Sequence, residues 1–433
     1  MRYRLFDVPS LFRTPLGRLQ LRYAAWHRAG PFLYGIAHLY RTTVLRKSRI
    51  VVVVGSFGKT TTARAVISAL GGTAPEHMPY NSGGWVARSI FSVRPGQAYG
   101  VIEVGINDRG QMTEYARTLR PDVAVVTSIG SEHNRRLGSL EATRAEKVEM
   151  VRVLSSSGWA VLNGDDPNVR WMAEQTRARV ITFGFGERND VRATNVRLDW
   201  PDGTRFTLHT ATEKRSLRVR LIGRTMVYPI LAAVAVALNE NFSLDDFLAA
   251  LEALDPTPGR LQPVRLSNGA ILLRDEFKSP LETIDAALDI LEQIPARRRI
   301  VVLGDVMEPP GPQNTIYRRL GQRIAEVASR AIVFTGSNVR FYRAGARLGG
   351  LATEALVDAQ GSMRKAIEAL ESDLGPGDVV LIKGRDTQRL ERLALMLMGR
   401  NVRCELKHCG AKVERCDQCP MLERGWNGMR VTV

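Results

Sequence analysis

The chain has 433 residues, enough for two or three domains with substantial cores. Its hydrophobic share, 44%, is ordinary for a globular protein, and no run of about 18 apolar residues occurs, which excludes a membrane-spanning helix. The formal charge is +17; with no signal-peptide pattern at the start, a cytoplasmic protein is expected.

Residues 1–49 carry ten Lys/Arg against one acid, Asp7, so this segment holds about half of the excess charge. It also contains Tyr3, Phe6, Phe12, Tyr23, Trp26, Phe32, Tyr34 and Tyr40. Basic residues mixed with large rings suit an anionic membrane surface or nucleic acid. A solvated basic helix on the main body is the plainer alternative. Peripheral membrane contact would place the protein at the inner face of the membrane.

Residues 50–54, Ile-Val-Val-Val-Val, predict a strand buried on both faces of a parallel sheet. A glycine turn follows, then Ala63, Val66, Ile67 and Leu70 at helical spacing. Further short apolar runs at 100–105, 122–129, 159–163 and 179–184 alternate with helical stretches. This rhythm predicts a doubly wound α/β domain over 50–255. Residues 195–221 predict short antiparallel strands. Asp255-Pro256-Thr257-Pro258-Gly259 reads as a linker. The rhythm restarts at 270–276, 299–306, 330–335 and 378–384, predicting a smaller Rossmann-like α/β domain over 256–400. The tail, 401–433, holds all four cysteines: Cys404, Cys409, Cys416 and Cys419. Intracellular disulfides are uncommon. This spacing suits a structural Zn²⁺ site of four thiolates. An Fe–S cluster or reactive free thiols are the alternatives.

Gly55-Ser56-Phe57-Gly58-Lys59-Thr60-Thr61 sits between the first strand and its helix. Its glycines let backbone N–H groups approach phosphate oxygens. Lys59 can reach the terminal phosphates, and Thr60 can bind Mg²⁺. The longer P-loop pattern wants a glycine where Val53 stands, so this is the shorter G-x-x-G-K-T form. Glu103 closes the strand 100–105, where a buried carboxylate needs a partner or a cation; Mg²⁺ beside nucleotide phosphates is the natural one, a cap or salt bridge the alternative. His133 follows strand 122–129 in a plausible site loop. Lys147, within Arg144-Ala145-Glu146-Lys147-Val148-Glu149, reads by itself as a solvated helix face. Asn163-Gly164-Asp165-Asp166 reads as a strand-ending turn.

Together these segments resemble the Mur ligases of cell-wall synthesis, most closely the branch that adds a D-alanyl-D-alanine dipeptide. The resemblance is carried by GSFGKTTT (55–62), YNSGG (80–84), EVGINDRGQ (103–111), SIGSEHNRRLGSLEATRAEKVEM (128–150), VLNGDD (161–166) and GR (223–224). It continues through PTPGRLQPVRLSNGAILLRDEF (256–277), VVLGDVMEPPG (301–311) and DVVLIKGRDTQRLE (378–391). It implies an ATP-dependent amide ligase acting through an acyl-phosphate. It assigns Gly55, Ser56, Gly58, Lys59, Thr60, Thr61 and Asn163 to ATP, with Arg260 and Asp275 reaching the nucleotide from the second domain. It assigns Glu103, His133 and Lys147 to Mg²⁺, Lys147 as a carbamylated lysine. It places Asn81 near the substrate or γ-phosphate, and Lys383 and Arg385 near the acceptor amine.

The chain also departs from the family pattern. The family's N-terminal domain, which grips a uridine nucleotide, is not expected to fit in the 49 residues, basic and aromatic, that precede the first apolar strand. The acid is therefore expected to be a small-molecule or lipid-linked carboxylate; the UDP-muramoyl-tripeptide of the family's own reaction is the alternative. Lys278 stands where the family has an asparagine, a cation suited to an anionic substrate. Thr225-Met226 replace the family's His-Asn after Gly223-Arg224. A noncatalytic, nucleotide-switched nucleic-acid binder is a third reading. Retention of Lys59, Glu103, His133 and Lys147 together argues against it.

Overall fold

The structure, a computed structural model, describes residues 8–425 except 77, 79, 132–136, 310, 335–337, 372–373, 407–408, 410 and 412–414. The chain divides into two compact units. One runs from Ala25 to Thr257; the other takes Pro258 onward together with the described residues up to Ala24. The unit boundary falls inside the expected linker, and segment 1–49 is shared between the units.

The first unit is organised by β1 (Arg49–Val54), in which Ile50 to Val54 are wholly buried. The pleat sends Ile50, Val52 and Val54 to one core and Val51 and Val53 to the other. Burying one such side chain contributes roughly 1.5–3 kcal/mol, so five in succession hold β1 at the centre of the sheet. β2 (Tyr99–Glu103) and β3 (Val123–Val126) pair with it in parallel, one on each edge. β4 (Trp159–Asn163), β5 (Arg179–Gly184) and β6 (Val191–Asp199) continue in parallel. β7 (Gly203–His209) and β8 (Lys214–Val219) close the edge as an antiparallel meander. The order is β2-β1-β3-β4-β5-β6-β7-β8. The expected antiparallel strands thus form the edge of the parallel sheet.

Helices Gly30–Thr43, Gly84–Phe91 and Gln111–Leu119 cover one face. Helices Lys59–Ala69, Val227–Asn239 and Leu244–Glu252 cover the other. Helix Val227–Asn239 is apolar almost all round and buried accordingly.

The second unit holds a six-stranded sheet of β9 (Gln262–Arg265), β10 (Ile271–Asp275), β11 (Arg298–Leu303), β12 (Arg330–Val333), β13 (Leu356–Asp358) and β14 (Asp378–Lys383), in the order β13-β12-β11-β14-β10-β9. It is parallel except for β9 on the edge. Lys59 follows the turn after β1, Glu103 ends β2, and Asp275 and Lys383 end β10 and β14, at the carboxyl ends of parallel strands, where open α/β sheets bind ligands.

Candidate active site

The loop after β1 is shaped by glycine where nothing else fits. Gly55 has φ +147°, and a Cβ there would stand 1.9 Å from Thr127 Oγ1. Gly58 has φ +79° and leads into helix Lys59–Ala69. The segment after β3 fastens the loop. Thr127 Oγ1 donates to the Phe57 carbonyl (2.5 Å), the Phe57 N–H donates to Ser128 Oγ (2.9 Å), and the Gly130 N–H donates to Ser56 Oγ (2.8 Å). Such a preset backbone can meet phosphate without reorganising.

Two buried lysines converge on this loop. Lys59 donates to the carbonyls of Gly55 (2.8 Å) and Ser56 (3.1 Å). Lys147, the last residue of helix Leu140–Lys147, is 1% exposed and donates to Ser56 Oγ at 2.9 Å. The reading of Lys147 as part of a solvated helix face is therefore corrected. Its helix turns it inward, against the nucleotide loop.

Glu103 ends β2 beside Val53 of β1, is buried, and accepts from Asn81 Nδ2 at 2.6 Å. The Asn81 carbonyl accepts the Gly105 N–H (2.7 Å), and Asn107 Nδ2 donates to Ser82 Oγ (2.8 Å). These bonds bring the 80–84 and 103–111 segments together. Thr60 is half-buried at the helix start. The Thr61 hydroxyl is buried and bonded to Thr257 Oγ1 (3.0 Å), so it points into the fold. Asn163 braces the end of β4 by donating to the Thr127 carbonyl (2.8 Å). His133 lies outside the described residues.

A further cluster was not legible beforehand. Asp165 accepts from the N–H groups of Phe185 (2.5 Å) and Gly186 (2.9 Å), from Asn189 Nδ2 (2.8 Å) and from the Tyr228 hydroxyl (3.0 Å). Burial works to raise its pKa, but these four donors hold it below the usual carboxylate range. Phe185 meets Tyr228 edge-on at 4.6 Å, and the Arg224 guanidinium lies 3.8 Å from the Phe185 ring centre. Only the Gly-Arg dipeptide and the turn Asn163–Asp166 hinted at it.

In the second unit, Asp275 at the end of β10 and Lys383 at the end of β14 form a buried ion pair at 2.7 Å. Burial pushes the Asp275 carboxyl up and the Lys383 ammonium down, each partner opposing the other's shift. Lys383 also donates to the Lys278 carbonyl (2.7 Å). The Arg260 guanidinium covers the Phe277 ring at 4.6 Å. Arg385 is half-buried, with an Nε that has no hydrogen-bond partner among the described residues. An open cleft nearby is lined by Gly259, Arg274, Glu276, Asp386, Glu391 and Arg415.

The four cysteines are free. Among the described residues, no three His, Cys, Asp or Glu side chains are gathered as metal ligands. The expected zinc centre is thus not preformed. Burial pushes the Cys416 and Cys419 thiols up, so neither is a ready thiolate, which corrects the reactive-thiol alternative for these two.

Residues 53–237 match the Mur ligase middle domain, and residues 259–385 match the Mur ligase glutamate ligase domain. The chain belongs to the Mur ligase family, whose members are ATP-dependent, ADP-forming ligases. Its relatives include the UDP-N-acetylmuramoyl-tripeptide--D-alanyl-D-alanine ligase of Escherichia coli (strain K12), 29% identical over 280 residues, which are 64% of this chain and 62% of that protein. The enzyme of that name from Mycobacterium bovis (strain ATCC BAA-935 / AF2122/97) is 29% identical over 367 residues, 80% of this chain and 72% of the relative. The crystal structure of MurF from Acinetobacter baumannii matches with a TM-score of 0.75 at 25% identity, covering 85% of this chain and 80% of that one. The chain therefore spans less than two thirds of the Escherichia coli relative's length. The expected family and fold are borne out.

Proposed function

We propose that this protein uses ATP to join a carboxylate to an amine through an acyl-phosphate. The observation that carries this reading is Lys147, buried and hydrogen-bonded to the phosphate loop's own Ser56. The carboxylate oxygen attacks the γ-phosphorus and ADP leaves. The amine then attacks the carbonyl carbon of the mixed anhydride, and phosphate leaves. Lys59 and the backbone N–H groups at the start of helix Lys59–Ala69 stabilise the charge that gathers on the transferring phosphoryl oxygens.

Mg²⁺ fits the oxygen donors Thr60 and Glu103, since it accepts one or two protein oxygens beside substrate phosphates. When bound, it neutralises phosphate charge. Lys147 fits such a site only as a carbamate, which replaces an ammonium with two oxygens; His133 would complete the set. Asn81 holds Glu103 in place. Phe185, Tyr228 and Arg224 offer ring and guanidinium surface at the nucleotide end. Within the second unit, Arg260, Lys278 and Arg385 are cations suited to an anionic ligand, and the buried Asp275–Lys383 pair braces the strand ends beside them.

Lys147→Ala should abolish acid- and amine-dependent phosphate release while ATP binding stays largely intact. Near-normal turnover would remove the carbamate role. The acid is a small-molecule or lipid-linked carboxylate handled in the cytoplasm, where ATP is supplied. A phosphate-release screen pairing lipid-linked and uridine-linked acids with amines, including UDP-muramoyl-tripeptide with D-Ala-D-Ala, identifies it. Turnover with that last pair alone would assign the reaction named for the relatives.

For the tail we propose Zn²⁺ held by Cys404, Cys409, Cys416 and Cys419. The support is the spacing Cys404-x4-Cys409-x6-Cys416-x2-Cys419, four thiols within sixteen residues, none of them in a disulfide. Metal binding would have to displace the thiol protons that burial otherwise retains on Cys416 and Cys419. Metal analysis of gently purified protein tests it: one zinc per chain is expected, and neither zinc nor iron would overturn it.

A further inference from the structure

Helix Gly30–Thr43 is apolar on two opposite faces, and the first unit uses only one. Tyr34, Ala37 and Arg41 point inward. Tyr34 meets Tyr115 edge-on at 5.8 Å, and Arg41 is tied to Asp122 at 2.8 Å. Tyr40 and His38 add bonds to the carbonyls of Val93 (2.9 Å) and Arg117 (2.9 Å). The helix is thus firmly seated.

Its outer face carries Phe32, Ile36 and Leu39, which are 82%, 59% and 61% exposed. Their i, i+4, i+7 spacing puts them within about 60° of one another around the helix. Val44 follows and is also exposed. Single exposed apolar residues are ordinary, but a row on one helix face marks a surface that something covers. Nothing else among the described residues concentrates exposed large apolar side chains in this way: of nine, four fall within residues 32–44.

Charge selects what covers it. From Val8 to Pro75 the sequence contains no Asp or Glu. Arg28, Arg46 and Lys47 are exposed just before and just after the helix. A second copy of this chain would bring two acid-free, cationic surfaces together and is disfavoured. An apolar stripe flanked by cations matches the interface of an anionic bilayer, where rings and aliphatic side chains enter the headgroup layer and basic residues meet phosphate.

We propose that helix Gly30–Thr43 docks the protein on anionic lipid bilayers through Phe32, Ile36 and Leu39, with Arg28, Arg46 and Lys47 contacting headgroups. No described helix is long and apolar enough to cross a membrane, so this contact is peripheral. The contact stands on its own observations, and it would hold the ligase site at a surface that carries lipid-linked acids.

The test is co-sedimentation of the full chain with phosphatidylcholine vesicles, with and without phosphatidylglycerol. The chain should bind the anionic vesicles and leave the neutral ones largely unbound. Phe32→Glu/Ile36→Glu should weaken that binding at least about tenfold, with the melting curve and ATP binding unchanged. Leu39→Gln provides a milder second variant, expected to shift binding in the same direction. Equal partitioning of wild type and double variant would overturn the proposal. So would a wild-type dimer that the double variant converts to monomer without any change in vesicle binding. Binding to acidic protein or nucleic acid that the variants abolish, with vesicles ignored by wild type, would also overturn it. Because vesicle binding is read without turnover, failure here is distinguishable from failure of the ligase reading.

Discussion

Asp275 and Lys383 stand 2.7 Å apart with almost no exposure, so each charge depends on the other. Lys383→Met leaves a buried carboxyl without its cation, a change expected to cost about 3–5 kcal/mol. Asp275→Asn combined with Lys383→Met should recover most of that loss, because both desolvated charges are then gone. Denaturant unfolding of the two variants checks it; a single variant as stable as wild type would refute the dependence. Neither residue's burial was readable beforehand. An Asp and a Lys at the ends of two strands separated by about a hundred residues carry no local sign that β10 and β14 are neighbours. Lys147 has the same history. Its flanking sequence is highly charged and reads as solvent-facing, and only the packing of its helix turns it toward Ser56.

At the scale of elements, the turn from β1 to helix Lys59–Ala69 is the segment that sequence describes best. Five apolar residues, two glycines and a Lys-Thr pair leave few other conformations. Gly55→Ala tests how tightly that turn is set. A Cβ would press on Thr127 Oγ1 from 1.9 Å at φ +147°, so the loop must shift, with strain of about 1–3 kcal/mol. Nucleotide affinity should fall by about tenfold or more, since 1.4 kcal/mol is a factor of ten, as read by calorimetric titration with ATP. Unchanged affinity would show that the backbone tolerates the shift. The edges were less legible than the centres. β9 and β13 have four and three residues, too short for a period-two pattern to emerge. β6–β8 were visible as antiparallel strands, but their attachment to β5 depends on Phe183 and Gly184 pairing with Val191 and Arg192. No local composition announces such a pairing.

On the scale of the whole molecule, a formal charge of +17 means that acid adds to an existing excess of positive charge. Asp378 is where the second unit should feel this first. It is fully buried at the start of β14 and accepts from Arg297 (2.6 Å), Arg298 (2.6 Å) and the Gly375 N–H (3.0 Å). Burial alone would raise its pKa, yet the two guanidiniums and the N–H hold it well below the usual carboxylate range. A carboxyl depressed in the folded state stabilises above its unfolded pKa, about 3.9. That stabilisation is lost as pH falls through the folded value. Asp378→Asn should therefore lower stability by about 2 kcal/mol at neutral pH, discounted for the exposure of Arg297. Below about pH 4 the gap to wild type should narrow, because the unfolded wild-type chain takes up a proton at Asp378 that the folded one still excludes. Urea unfolding of both proteins across that pH range reads it directly. A gap that stays constant into acid would mean that Asp378 acts through its hydrogen-bonding shape, and that net positive charge alone sets the acid limit of the fold.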